Sequence, residues 1–305
     1  MKRHSNGDSG DKCELFCNLS GKKMPLPHFW DHMVGSGHAT LALRADWQRR
    51  LWQCHEELGF RHVRFHRVLC DDVDTVVEEQ GKRLYSFFNL DQIFDFLLSI
   101  GIKPFVKLSF MPKALASGKT TVFHYNANVT PAAEYDDWDE LIDKLAAHLV
   151  QRYGANSLRD WFFEVWNEPS MKSFWTGTQE EYFKLYRHTA KALKAVDNSL
   201  KVGGPVTAKN QWIEEFLDFC QKTSLPLNFI SASRSITRSG TVRRIPSILA
   251  GKTGYWISKR HYGLAQGPVV VMVENYRWEL IWRLMRDCPW VVAGLRRAGF
   301  KSGWM

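Results

Sequence analysis

Helical and extended patterns alternate along most of this 305-residue chain, and no other feature limits its fold so strongly. A helix is expected from Asp46, with Trp47, Leu51, Cys54 and Leu58 on one face and Gly59 as its stop. A strand follows at His62–His66. A second helix starts near Asn89 or Asp91, carries Ile93, Phe94, Leu97 and Leu98, and ends at Gly101. The strand Pro104–Phe110 comes next, then a long loop to about Tyr135. Asp136 and Asp137 open a helix with Trp138, Leu141, Ile142, Leu145 and Leu149 at a 3.6-residue period, closed by Gly154. Thr178 and Glu181 form a capping-box pattern for a helix bearing Tyr182, Leu185, Tyr186 and Leu193. Leu200–Val202 is a strand broken by Gly203-Gly204-Pro205. A helix with Trp212, Ile213, Phe216 and Leu217 leads to a last strand, Leu227–Ser231. Pro25–Thr40, rich in Gly, His and aromatic residues, reads as a loop, and a short strand is expected near Glu14–Asn18. Alternation with short connections implies parallel strands with helices outside, a (β/α) TIM-type barrel. Six strands fall before residue 232, two short of closure, so the barrel is expected to be incomplete at its C-terminal end.

One strand carries a chemical signal. In Trp161-Phe162-Phe163-Glu164-Val165-Trp166-Asn167-Glu168-Pro169, five of the first six residues are aromatic or β-branched, and Pro169 stops the strand. Glu164, Trp166 and Glu168 share one parity and are expected to point the same way. A carboxylate at the C-terminal end of a strand is where β/α barrels place their chemistry, and Asn167 adds an amide that can bond both substrate and carboxylate. The plainer reading is a structural glutamate at a loop mouth.

Composition bounds the rest. The chain is 45% apolar and 24% charged, which is globular, and has no run of about 18 apolar residues to span a membrane. The first twelve residues are polar without an apolar core, so no signal peptide is expected and the location is expected to be cytoplasmic. Six scattered cysteines lack zinc-ligand spacing and read as reduced thiols. Asp71, Asp72 and Asp74 lack calcium-loop spacing and read as a solvated loop. No metal and no cofactor is expected.

The net charge of +9 is lopsided: residues 231–305 hold 13 Lys+Arg against 3 Asp+Glu, a net of +10, and the first 230 residues carry −1. Arg234, Arg238, Arg243, Arg244, Arg296 and Arg297, with Trp and Tyr between them, are compatible with phosphate contacts, but no motif or basic helical period accompanies them. Non-specific attraction is the expectation rather than nucleic-acid recognition. Within this segment Pro268–Asn275 is a strand candidate ending near Glu274, followed by an amphipathic stretch, Trp278–Met285.

Residues of about 25–231 resemble the β-xylosidases of glycoside hydrolase family 39, relatives of α-L-iduronidase. The likeness rests on Pro27-His28-Phe29-Trp30 through Gly35-Ser36-Gly37-His38, Val63-Arg64-Phe65-His66, Leu108-Ser109-Phe110-Met111-Pro112 and Phe163-Glu164-Val165-Trp166-Asn167-Glu168-Pro169. It implies a retaining enzyme that removes β-linked xylose from non-reducing ends of xylo-oligosaccharides or other small β-glycosides. Glu168 is then the general acid/base, Asn167 a sugar contact, and His66 a neighbour of the first subsite; a strand-end histidine satisfied by its surroundings is the alternative. Trp30, Phe110 and Trp166 can stack on sugar faces or serve as core. The family pattern has Gly where Arg67 stands, and often Glu where Lys107 stands. It also has a Glu-Trp-Asn nucleophile strand, which occurs nowhere in this chain.

A retaining mechanism needs two carboxyl groups about 5–5.5 Å apart, and Glu274 is the second carboxylate that the sequence offers. Three segments are therefore expected: a leader at 1–24, a glycosidase barrel domain of six units at 25–231, and a basic segment at 232–305 that reads as a shifted reading frame or a fusion. The function expected is a β-xylosidase-like hydrolase; the alternative is a truncated, catalytically incomplete relative that at most binds sugars.

Overall fold

In the computed structural model the described residues are 29–208 and 210–233, with two helical pairs at 292–293 and 296–297. Six strands form one sheet in sequence order: β1 (Val34–His38), β2 (His62–His66), β3 (Lys103–Leu108), β4 (Phe162–Val165), β5 (Lys201–Ala208) and β6 (Phe229–Ser233). Every neighbouring pair is parallel. Five long helices form the connections: α1 (Ala45–Leu58), α2 (Phe88–Ser99), α3 (Tyr135–Tyr153), α4 (Gln179–Val196) and α5 (Ile213–Lys222). Sequential parallel order with helical crossovers is the β/α barrel pattern. Among the described residues it is open between β1 and β6, an incomplete barrel. The leader 1–24 with its expected strand, the strand Pro268–Asn275, the stretch Trp278–Met285 and the body of the basic segment lie outside the described residues.

The alternation of each strand sets the two faces of the sheet. Val106, Leu108, Phe163 and Val165 are buried in the apolar layer shared with the helices. The opposite parity, Phe105 and Lys107 on β3 with Phe162 and Glu164 on β4, lines the other face and pairs in register. There Phe105, Phe162 and Phe229 meet ring to ring, and the charged pair lies nearer the C-terminal ends of the strands.

Several local expectations change. Val34–His38 is a strand rather than loop, because Val34 and Gly35 find backbone partners at Val63 and Arg64 whatever their own propensity. Gly203-Gly204-Pro205 does not break β5. Gly203 lies so close to β6 that a Cβ there would sit 2.4 Å from the Phe229 carbonyl oxygen, and the register shift opposite Pro205 absorbs the proline. Asp46 does not cap α1; it lies in the first turn and pairs with Arg44. Leu58, assigned to the apolar face of that helix, is largely exposed. The shared parity of Glu164, Trp166 and Glu168 also fails. β4 ends at Val165, and Trp166 and Glu168 take left-handed backbone, φ 68 and 49, which ends the alternation. The Thr178 capping box on α4 forms with both hydrogen bonds present.

Candidate active site

Because the strands are parallel, their C-terminal ends share one edge. His66 ends β2, and Glu168 stands three residues beyond the end of β4 on that same edge. Glu168 is half-buried, and its carbonyl accepts from the Met171 N–H at 3.0 Å, starting the turn that follows. Asn167 is buried, and its Oδ1 accepts a 2.6 Å hydrogen bond from Lys107 Nζ.

Behind these residues lies a charge set in which three strands each contribute one member. Glu164 is 0% exposed, and Arg64 Nε and Nη2 both donate to its Oε2, at 2.9 and 2.7 Å. Lys107 Nζ lies 3.3 Å from the same oxygen. Burial works to raise the Glu164 carboxyl, but the Arg64 and Lys107 charges outweigh it and hold the group below the ordinary carboxylate range. Lys107 is pushed down to about 7, first by burial and then by Arg64, against the pull of Glu164 and Glu168. Glu164 Oε1 and Ser231 Oγ are both buried without a full hydrogen bond, although Ser231 is near enough to act on that carboxylate.

His66 is mostly buried and held down to about 3, chiefly by desolvation and then by the Lys107 charge. Its Nδ1 is buried and has no hydrogen-bond partner among the described residues. The imidazole is therefore neutral at ordinary pH. The rings of Phe110 and Trp166 are fully buried. They meet edge to face at 5.4 Å, and Trp166 Nε1 donates to the Phe174 carbonyl at 2.8 Å. That is core packing beneath the mouth. Glu274 lies outside the described residues, and nothing is described of the Trp30 side chain.

Asp72 pairs with Arg67 at 2.8 Å and accepts from Thr40, and Asp71 accepts from the Lys113 N–H. Among the described residues no group of three His, Cys, Asp or Glu side chains could hold a metal ion. The charge set around Glu164 and the hairpin after β3, Thr121–Val122 with Ala127–Asn128, were not among the sequence candidates. A signal for the first was present: Arg64, Lys107 and Glu164 each stand between two apolar residues of their strands.

A glutamate and an amide at the C-terminal mouth of a parallel sheet, backed by sealed charges, define the class as the β/α barrels that carry chemistry at this end. The chain belongs to the glycosyl hydrolases family 39, whose family model matches residues 14–247. The β-xylosidase of Caldicellulosiruptor saccharolyticus is 55% identical over 214 residues, 69% of this chain and 44% of that protein. The β-xylosidase of Geobacillus stearothermophilus is 43% identical over 209 residues, 66% of this chain and 42% of that protein. A crystal structure of the GH39 enzyme from Xanthomonas axonopodis pv. citri superposes with TM-score 0.66 at 42% identity, covering 69% of this chain and 42% of that one. The chain thus spans less than half the length of these relatives. A second family model, described as putative glucoamylase, matches residues 211–289. No helix among the described residues is long and apolar enough to cross a membrane.

Proposed function

We propose that this chain carries the acid/base side of a retaining β-xylosidase-type site that acts on β-linked xylosides, with Glu168 as the proton donor. The observation that carries the reading is the environment of Asn167-Glu168 at the strand ends. Lys107 holds the Asn167 oxygen inward, which leaves the amide N–H groups for other partners. Neutral His66 stands on the same edge and can accept or donate to a sugar hydroxyl. Glu168 would protonate the leaving oxygen, while a second carboxylate about 5–5.5 Å away attacks the anomeric carbon. Glu164 cannot take that second role, because its carboxylate is sealed between Arg64 and Lys107. The candidate remains Glu274.

The second reading, a relative that binds sugars without completing the reaction, draws support from the engagement of nearby carboxylates: Glu164 is held by Arg64 and Lys107, and Asp72 by Arg67. The match of residues 211–289 to another family's model favours a fusion over a shifted reading frame, since out-of-frame residues have no reason to fit a family pattern. Turnover of an aryl β-xyloside by the full chain separates the two readings. Slow but measurable hydrolysis with xylose binding is expected; xylose binding with no hydrolysis would favour the second reading. Hydrolysis at ordinary enzyme rates that Glu274→Ala abolishes would show a complete hydrolase with Glu274 as nucleophile.

A further inference from the structure

Lys107 belongs both to the buried charge set and to the mouth. Its side chain on β3 is 3% exposed, and its Nζ donates to Asn167 Oδ1 at 2.6 Å. The charged and titratable groups that face it come from the two strands beside β3: Arg64 and His66 on β2, Glu164 on β4, and Glu168 beyond the end of β4. One step further out, His38 and Arg67 act on His66, and Ser231 on Glu164.

The Asn167 amide has an acceptor end and a donor end, and Lys107 decides which of them faces the mouth. As an ammonium, Lys107 has three N–H donors and no lone pair. It takes the amide oxygen and leaves the Nδ2 N–H groups for the mouth. As an amine it keeps two donors and gains a lone pair, so it can accept from Nδ2 as well as donate to Oδ1. Either orientation of the amide then satisfies it. The turned amide, however, presents an oxygen beside the oxygens of Glu168. A sugar hydroxyl has one O–H, so it can give to Glu168 while accepting from the Asn167 N–H, but it cannot give to two oxygens at once.

We propose that the Lys107–Asn167 bond is a proton-dependent latch on the sugar site: charged Lys107 fixes the Asn167 N–H groups toward the mouth, and neutral Lys107 frees the amide to turn and weakens sugar binding. Lys107 is then a positioning residue, acting on the sugar through Asn167. The inference rests on the reading of this mouth as a glycoside site. Burial and the Arg64 charge bring Lys107 down to about 7, so both of its forms are populated near neutral pH. His66, held down to about 3, stays neutral across the same range.

The test is a calorimetric titration of the full chain with D-xylose at pH 6 and pH 9. The wild type is expected to bind about three- to tenfold more weakly at pH 9, the worth of one hydrogen bond. Loss of fold does not produce this, because shedding the buried charge makes the folded chain more stable over the same range. At pH 7.5, titrations in buffers of different ionisation enthalpy are expected to show uptake of about a quarter to a half of a proton per sugar, the reciprocal of that weakening. Lys107→Gln, whose amide donates but does not titrate, is expected to bind equally at both pH values and to take up no proton. Should that variant fail to fold, the wild-type lysine signal that titrates near pH 7 is followed by nuclear magnetic resonance, and saturating xylose is expected to raise its midpoint. Equal wild-type affinity at the two pH values, or a midpoint that xylose leaves in place, overturns the latch and leaves the sugar site standing. A pH dependence that survives in folded Lys107→Gln also overturns it, because another group then carries the proton. No xylose binding at either pH would remove the reading of the mouth, and the latch with it.

Discussion

Lys107 Nζ donates a 2.6 Å hydrogen bond to Asn167 Oδ1 while lying 3.3 Å from Glu164 Oε2. Below about pH 7 Lys107 is an ammonium with only donors, and the amide atom facing it is then the oxygen. A single buried cation therefore joins the sealed charges of the strand layer to the residue beside the proposed proton donor.

That cation has a measurable consequence for stability. Lys107 is lowered from 10.5 to about 7, so between those values the unfolded chain binds a proton that the folded one sheds. Stability then rises with pH across this window, and below about pH 7 the full cost of burying the charge applies. Urea midpoints at pH 6.5 and 9.5 are expected to show this rise in the wild type and a flatter response in Lys107→Met. An unchanged slope in the variant would mean that Lys107 is not the titrating group.

His66 makes a prediction of the same form on the acid side. Its ring is lowered from 6.5 to about 3, so its nuclear magnetic resonance signal is expected to stay fixed from pH 8 to 5. The unfolded chain takes up a proton near pH 6.5 that the folded ring refuses. Stability is therefore lost as pH falls from 6.5 towards 3, and His66→Phe is expected to remove that part of the loss. A titration midpoint near 6.5 in the folded protein would contradict the buried neutral ring.

Gly203 tests the close approach of β5 and β6. A methyl group there meets the Phe229 carbonyl oxygen at 2.4 Å and its ring at 2.7 Å. Gly203→Ala is expected to destabilise the fold by about 2–4 kcal/mol, as overpacking against fixed backbone does. Gly35→Ala, which meets nothing within 4 Å, is expected to stay within about 1 kcal/mol of wild type. Equal urea midpoints for the two variants would remove the steric account.

The helices were legible because their signals are local. The period of Trp138, Leu141, Ile142, Leu145 and Leu149 marks one buried face, and all five are buried. The Thr178–Glu181 pair announces a cap that forms as read. β1 was not legible, since Val-Gly-Ser-Gly-His has no strand propensity of its own and is extended because β2 offers a partner. The continuation of β5 through Gly-Gly-Pro was hidden for the same reason: those glycines answer to a neighbouring strand. At the site, the sequence named Asn167, Glu168 and His66 from position and resemblance. The bond from Lys107 to Asn167 joins residues sixty apart, and the Phe123 hairpin depends on Arg67; neither follows from a local pattern.

The role of Glu168 is tested most directly by leaving-group dependence. Rates of the wild type and of Glu168→Ala are measured on two aryl β-xylosides, one with an activated leaving group and one with a poor one, at enzyme concentrations high enough to follow slow turnover. Glu168→Ala is expected to cut cleavage of the poor leaving group by about 10²–10⁴-fold, the usual worth of acid assistance, and cleavage of the activated one far less. Equal losses on both substrates would contradict the assignment of Glu168 as the proton donor.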